Sequence, residues 1–225
     1  MKLTVIDSGS KGNCYVMKSS TGEVLLIEAG VKFSKIKETL GFNINNVNGI
    51  IVTHEHLDHS KGIKDALNAG LPVYASSGTI EAMKLSHHRL HSVEKQKPFN
   101  VGSFKVIAFD TIHDCVEPCG YLIQHPECGT VLFITDSSFV GYKFPGLNNI
   151  IIEANYCLDK IQQKQYDGTI MSFLHDRIIN SHMSIQTCME LLDANDLSQV
   201  NNIVLIHLSD SNSDALQFIK KVSDL

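Results

Sequence analysis

The chain alternates short apolar runs with polar stretches, and the spacing of the apolar positions predicts strands and helices in turn. Helical periodicity covers Lys61 to Asn68 and Ile185 to Leu192, and Ser184 precedes the second helix as an N-cap. Strand-rich segments with helices between them predict an α/β fold of two packed sheets with helices outside. The runs with the length and composition of buried strands are Leu3 to Ile6, Val24 to Ile27, Ile50 to Val52, Phe104 to Phe109, Val131 to Ile134, Ile150 to Ile152 and Ile203 to Ile206.

The length of 225 residues and the hydrophobic content of 43% are those of one globular domain over residues 1–225. No apolar run approaches the ~20 residues of a membrane span, so we expect no membrane partner. Asp7 interrupts the first apolar run, which argues against a signal peptide. We therefore expect a cytoplasmic protein, in the host cytoplasm if a phage encodes it. The six cysteines contain no Cys-x-x-Cys pair, which favours reduced thiols.

A histidine-rich segment, Thr53 to His59, directly follows a predicted strand and contains the pattern His-x-His-x-Asp-His. His54 and His56 are two residues apart, so in an extended segment they point the same way and can share a metal ion. Asp58 and His59 come after the turn and can reach a second ion. Two ions ~3.5–4 Å apart can hold a hydroxide and clamp both the attacking and the leaving oxygen of a displacement. The pattern therefore predicts a hydrolytic metal site.

A single polar residue with ligand or acid–base chemistry follows each of four later predicted strands. These residues are His113, Asp136, Glu153 and His207. Any one of them alone is weak, because a lone histidine after a strand is more often a structural residue. Together, in this order after His-x-His-x-Asp-His, they are what a metal site along one sheet edge requires.

At these residues the chain resembles the metallo-β-lactamase fold superfamily of metallohydrolases. The resemblance covers nearly the whole chain and implies an αββα sandwich with two divalent metal ions at one edge. Zinc is the first choice and manganese the alternative. The resemblance also implies the ligands: His54, His56 and His113 for one ion, Asp58, His59 and His207 for the other, and Asp136 as the bridge.

Three further motifs are similar to those of the ribonuclease Z branch, and they are Glu153-Ala154-Asn155, Ser181-His182-Met183-Ser184 and Ile206-His207-Leu208. The resemblance implies that His182 donates a proton to the leaving oxygen and that Glu153 orients it, with Asp58 as a further catalytic residue. It favours phosphoester over lactam or thioester hydrolysis, and it implies a homodimer. The polar segment Tyr156 to Asp176 is open to three interpretations: a lid, a subunit contact or a solvated helix.

The opening Asp7 to Cys14 resembles a group that includes bacterial exonuclease-like proteins and phage anti-Pycsar phosphodiesterases, which hydrolyse cyclic mononucleotides. Glycines there allow backbone amides to approach an anion. A tight turn between the first two strands is an equally good interpretation. Ser10, Asn13 and Arg177 are candidate contacts of a substrate phosphate, and Lys11 is a further candidate. A plain surface charge is an equally good interpretation of Arg177 and of Lys11.

The leading hypothesis is a phosphodiesterase that hydrolyses small 3′,5′-cyclic nucleotides through attack by the hydroxide held between the metals. A net charge of −5 and the absence of a long basic insertion favour a small substrate, although a local basic patch is compatible with this charge. The first alternative is a 5′-end-dependent DNA or RNA exonuclease of the same fold, which would bind long nucleic acid. The second is a non-catalytic metal-binding module, which the complete ligand set disfavours.

Overall fold

The computed structural model describes residues 1–225, which fall into two compact units. Unit 1 comprises Met1–Asp110 and Cys115–Cys128, and unit 2 comprises Thr111–Asp114 and Gly129–Leu225. The expectation of a single domain over residues 1–225 stays a prediction. None of the helices combines the length and the apolarity that a membrane span requires. All six cysteines are free thiols.

Unit 1 contains a six-stranded sheet in the order β1-β2-β3-β4-β5-β6 and an antiparallel meander of β7, β8 and β9. Pairing is antiparallel from β1 to β3 and parallel from β3 to β6. The strands are β1 Lys2–Asp7, β2 Cys14–Lys18, β3 Val24–Ile27, β4 Val47–Ile51, β5 Val73–Ser76, β6 Leu90–Val93, β7 Pro98–Val101, β8 Phe104–Asp110 and β9 Cys119–His125. The helices are α1 Phe33–Thr39, α2 Leu57–Ser60, α3 Ile63–Asn68 and α4 Ser77–Met83.

The apolar core of unit 1 explains where its helices pack. Leu26 of β3 and Ile50 of β4 are fully buried in one cluster with Ile36 of α1 and Ile63 of α3. Strands buried on both faces read as continuous apolar runs, which is the pattern of Val24–Ile27. This packing fixes α1 and α3 against the same apolar core as β3 and β4.

Unit 2 contains three parallel strands, β10 Gly129–Ile134, β11 Leu147–Glu153 and β12 Asn202–Ile206. Its helices are α5 Leu158–Tyr166, α6 Ser172–Ser181, α7 Ile185–Asp193 and α8 Ala215–Ser223. Because the strands are parallel, their carboxyl ends lie at the same edge. The register pairs Ile134 with Ile152 and Glu153 with Ile206, so the residues that follow these strands are neighbours.

The structure confirms the seven predicted strands, whose observed bounds differ from the predicted ones by a few residues. Ser184 is the N-cap of α7, as predicted, because its hydroxyl accepts a hydrogen bond from the Thr187 N–H. The segment Tyr156 to Asp176 contains α5 and the first half of α6.

Candidate active site

The His-x-His-x-Asp-His segment of unit 1 leaves β4 as a short loop and enters α2 at Leu57. The ring centroids of His54 and His56 are 4.7 Å apart, and those of His54 and His59 are 4.1 Å apart. Asp58 Oδ2 lies 3.5 Å from His59 Nε2. The turn therefore gathers the three imidazoles and the carboxylate into one group.

Two side chains orient the histidines of this group. The Thr53 hydroxyl lies 2.9 Å from His54 Nδ1, and Glu28 Oε1 lies 3.5 Å from His59 Nδ1. Glu28 is fully buried, has a φ of 65° and accepts a hydrogen bond from the Thr53 N–H. Burial raises the pKa of Glu28, although His59 and the Thr53 donors oppose this shift. Such outer partners fix ring orientation and set which nitrogen faces a metal.

Asn13 locks the glycine-containing loop of the N-terminus against the same group. It is fully buried, and its side-chain Nδ2 donates to Gly9 O and Asp58 O and lies 3.0 Å from His59 Nε2. Its Oδ1 accepts a hydrogen bond from the Gly9 N–H. With its amide engaged in this way, Asn13 positions the loop, and its contact with a substrate phosphate stays a prediction. Ser10, at the tip of the same loop, is exposed.

Unit 2 places Asp136 and His207, which follow β10 and β12, beside His113 of its segment Thr111–Asp114. Asp136 Oδ1 lies 3.5 Å from His207 Nε2, and Asp136 Oδ2 lies 3.7 Å from His113 Nε2. Two ligands bound tetrahedrally at ~2.0–2.1 Å from one zinc ion lie about 3.4 Å apart. Each oxygen of Asp136 is thus spaced from a different imidazole nitrogen as two ligands of one ion would be.

Two of these residues have a strained backbone conformation with a positive φ. Asp136 has a φ of 45° and His207 a φ of 54°, both in the left-handed region. Non-glycine residues persist there only when their surroundings enforce it, and such residues cluster at functional sites. Both residues are also almost fully buried, as expected for metal ligands whose side chains are held in fixed positions.

The histidines of unit 2 are anchored through Nδ1, so that Nε2 is the nitrogen presented. His113 Nδ1 lies 2.7 Å from the Ser181 carbonyl oxygen. His207 Nδ1 lies 3.1 Å from Glu153 Oε1 and 3.0 Å from Asn155 Nδ2. Burial lowers the pKa of His113, which favours the neutral ring that a metal requires. Imidazoles and carboxylates arranged in this way are a donor set that fits zinc or another divalent ion.

The partly buried His182 and the fully buried Glu153 form a hydrogen-bonded pair beside these residues. His182 Nδ1 lies 2.8 Å from Glu153 Oε1, and Glu153 Oε2 accepts hydrogen bonds from the Ser137 and Met183 N–H groups. Burial alone would lower the pKa of His182, but the charge and hydrogen bond of Glu153 together with the charge of Asp136 raise the pKa above its ordinary value. A protonated ring with one nitrogen held in this way can donate a proton through the other.

The position of His182 also allows a different role. Its ring stacks on that of His207, with centroids 5.2 Å apart and planes at 15°. One possible ligand atom from each of Asp136, Glu153, His182 and His207 lies within 4.8 Å of the others. Distance therefore does not decide between proton donor and ligand, and the acid assignment stays a prediction.

Sequence reasoning missed Glu28 and did not predict the partner of Arg177. Glu28 directly follows β3 in the sequence Ile27-Glu28-Ala29, and Glu153 is the last residue of β11 in the similar sequence Ile152-Glu153-Ala154. This repeat is the signal that could have found Glu28. Arg177 lies on α6 with its side chain 63% exposed and its Nε 3.5 Å from Asp114 Oδ2. The structure thus gives Arg177 a partner next to His113, and its contact with phosphate stays a prediction.

The α/β fold and the groups of His and Asp at its strand ends define a hydrolase of the metallo-β-lactamase type. The family described as "Beta-lactamase superfamily domain" matches residues 25–208, and the chain belongs to this superfamily. The crystal structure of the metallo-β-lactamase fold protein YhfI from Bacillus subtilis superimposes with a TM-score of 0.73 at 18% identity, covering 99% of this chain and 92% of YhfI. The fold class and the family expected from the sequence are therefore confirmed.

Two named relatives are similar in sequence to this chain, over different shares of its length. Exodeoxyribonuclease YycJ of Bacillus anthracis is 29% identical over 233 residues, which cover 95% of this chain and 84% of YycJ. The anti-Pycsar protein Apyc1 of Bacillus phage 010DV004 is 34% identical over 71 residues, which cover 29% of this chain and 28% of Apyc1. The similarity to the exodeoxyribonuclease thus extends over nearly the whole chain, whereas the similarity to the phage protein is local.

Proposed function

We propose that this chain is a metal-dependent phosphodiesterase that removes nucleotides from the ends of DNA. The observation that carries this proposal is the hydrogen-bonded Glu153–His182 pair, which lies beside the donor residues Asp136 and His207. Phosphodiester hydrolysis releases a poorly stabilised alkoxide, and a positioned acid is the group that this step needs. Similarity to an exodeoxyribonuclease over 95% of the chain supports DNA as the substrate.

We further propose two divalent ions per chain, with zinc as the first choice. The assignment is the one implied by the family resemblance: His54, His56 and His113 for one ion, Asp58, His59 and His207 for the other, and Asp136 shared. The way that the two oxygens of Asp136 face different imidazoles supports the shared role. When bound, the ions supply Lewis-acid polarisation of the phosphoryl group and an activated nucleophile at neutral pH.

The residues of the chain then divide the remaining work. The Nδ1 partners of His54, His113 and His207 hold the rings in fixed orientations and so keep the donor set preorganised. His182 donates a proton to the departing sugar oxygen, a contribution of typically ~10²–10⁴ in rate. Glu153 stabilises the charged imidazole and holds its ring in place.

Cyclic nucleotides are the second candidate substrate. The observation that favours them is the 34% identity to Apyc1 over 71 residues. Cleavage of a 3′,5′-cyclic phosphate breaks the same kind of phosphorus–oxygen bond and needs the same proton donor, so the catalytic residues do not separate the two substrates. The non-catalytic module is disfavoured because the acid pair is intact and preorganised.

The test compares substrates on one metal-replete preparation. We expect hydrolysis of bis-p-nitrophenyl phosphate that stops with EDTA and returns when zinc or manganese is restored. We expect kcat/KM for single-stranded DNA to exceed the values for a panel of 3′,5′-cyclic nucleotides. A preference for one cyclic nucleotide over DNA would replace the first candidate by the second, and no turnover of any phosphodiester would contradict the proposed function altogether.

A further inference from the structure

Two pockets of unit 1 adjoin the ligand segment, and both are lined by lysines. A pocket of about 240 Å³ is lined by Ser10, Lys11, Leu57, Asp58 and Lys61. A larger one of about 740 Å³ is lined by Lys32, Lys37 and Lys61, together with Asp65 and residues of α1 and α3. Lys61 lines both pockets, which makes them neighbours, and the smaller of the two is also lined by Asp58.

The backbone that carries these lysines is fixed relative to the ligand segment. The Asn13 N–H donates to Asp58 O at 2.7 Å, and the Gly62 N–H, next to Lys61, donates to Ala29 O at 2.7 Å. Gly12 has a φ of 158°, and a Cβ there would lie 2.7 Å from Gly30 O, so the loop that carries Lys11 needs glycine at this position. The lysines near Asp58 are thus held at set positions, although their side chains are exposed.

The charge of this surface is opposite to that of the chain as a whole. Four lysines, Lys11, Lys32, Lys37 and Lys61, line the two pockets, against the carboxylates Asp58 and Asp65. The chain carries a net charge of −5. Leu57, 76% exposed at the first pocket, adds an apolar surface of the kind that a sugar or base can contact. A positively charged groove that follows the sugar–phosphate backbone is the electrostatic part of the arrangement that binds single-stranded nucleic acid.

We infer that these four lysines, the lysine track, bind phosphates of a DNA strand beyond the one that is cleaved. This inference rests on the proposed function, since it takes the Asp58 group as the reaction centre from which the track leads away. A cyclic mononucleotide has one phosphate and could not occupy both the reaction centre and the track. The track therefore favours a polynucleotide and makes these lysines determinants of specificity.

The test uses a fluorescently labelled oligothymidylate of about 12 nucleotides and measures how tightly the metal-loaded protein binds it. Phosphorothioate linkages protect the strand from hydrolysis, and anisotropy is followed over a series of salt concentrations. Each phosphate contact of a single strand adds about 0.7 to the slope of log K against log salt. The Lys11→Gln/Lys61→Gln variant should therefore lose about 1.4 from that slope. Lys32→Gln/Lys37→Gln provides a second, independent variant farther along the track.

Lys105→Gln is the matched control, because Lys105 is exposed on β8 and lines neither pocket. Thermal unfolding shows whether each variant remains folded. Slopes of both double variants that equal the slope of Lys105→Gln would overturn the lysine track. Degradation of the same strand with ordinary linkages is measured in parallel. If the slopes fall as expected but wild type releases no nucleotide, the track stands and the exonuclease proposal fails. If wild type degrades the strand while the slopes are unchanged, only the track fails.

Discussion

Replacing Glu153 by glutamine tests the centre of the buried network, because the change removes charge and one acceptor while keeping the shape. Glu153 Oε1 faces the Nδ1 atoms of His182 and His207, and Oε2 accepts hydrogen bonds from the Ser137 and Met183 N–H groups. A glutamine offers one oxygen and one NH₂ group. In the place of Oε2, the NH₂ group meets the Ser137 and Met183 N–H donors. In the place of Oε1, it meets Nδ1 of His182 and of His207, which both carry a proton when His182 is charged and His207 binds a metal through Nε2.

The structure sets the size of the expected effect. A buried donor left without an acceptor costs about 1–3 kcal/mol, so two such donors cost about 2–6 kcal/mol. For a chain of this length, each kcal/mol lowers Tm by about 2–4 °C, which gives a fall of at least about 4 °C. His182 also loses its charged partner. An ionic hydrogen bond exceeds a neutral one by about 1–2 kcal/mol, so kcat on DNA should fall about 10-fold.

The assay pairs thermal unfolding with DNA hydrolysis for Glu153→Gln and for the control Glu190→Gln. Glu190 is exposed on α7, so the same change of atoms there should alter stability by less than about 0.5 kcal/mol. The metal content of both variants is measured as well, to separate loss of metal from loss of the acid. If Glu153→Gln matches Glu190→Gln in both Tm and kcat, the reasoning about this network is refuted.

Three further changes probe the donor set and the assembly. His182→Ala should keep its metal and lose about 10²-fold or more in kcat on DNA, but less with nitrophenolate as the leaving group, and loss of metal or equal slowing would contradict the acid role. Asp136→Asn should lower the metal content measured by elemental analysis and abolish turnover, whereas full metal content would remove the bridge. We also predict a homodimer, supported by the exposure of Tyr166 and Phe173 on α5 and α6. Light scattering should show a dimer that Phe173→Asp weakens, and a monomeric wild type at micromolar concentration would rule it out.

Much of the fold could be predicted because its strands are local apolar runs such as Val131 to Ile134. The strand Cys14–Lys18 was missed although it begins with an apolar run, whereas other missed strands lack this signal. The strand Val73–Ser76 has only four residues after a proline, and Cys119–His125 is interrupted by glycine and glutamine. Burial of these strands depends on neighbours that are distant in sequence, which periodicity does not report.

The same distinction applies to the candidate site. His54 to His59 is a continuous motif, and His207 directly follows an apolar strand. Both could therefore be predicted from neighbouring residues in the sequence. Glu28 acts through the pairing of β3 with β4, in which its N–H donates to Ile51 O. The lysine track exists because helices α1 and α3 pack near each other. Both features depend on contacts between residues that are distant in sequence. They can therefore be identified only when the fold is known.

The central claim is that the chain hydrolyses DNA from its ends, and the lengths of the products test it most directly. Single-stranded DNA labelled internally, and in separate samples at either end, is incubated with metal-replete protein, with Asp136→Asn as the control. We predict that mononucleotides are released from the outset while the remaining strand shortens stepwise, and that EDTA or Asp136→Asn prevents both. Intact strands alongside rapid turnover of a 3′,5′-cyclic nucleotide, or internal fragments without mononucleotides, would contradict the account.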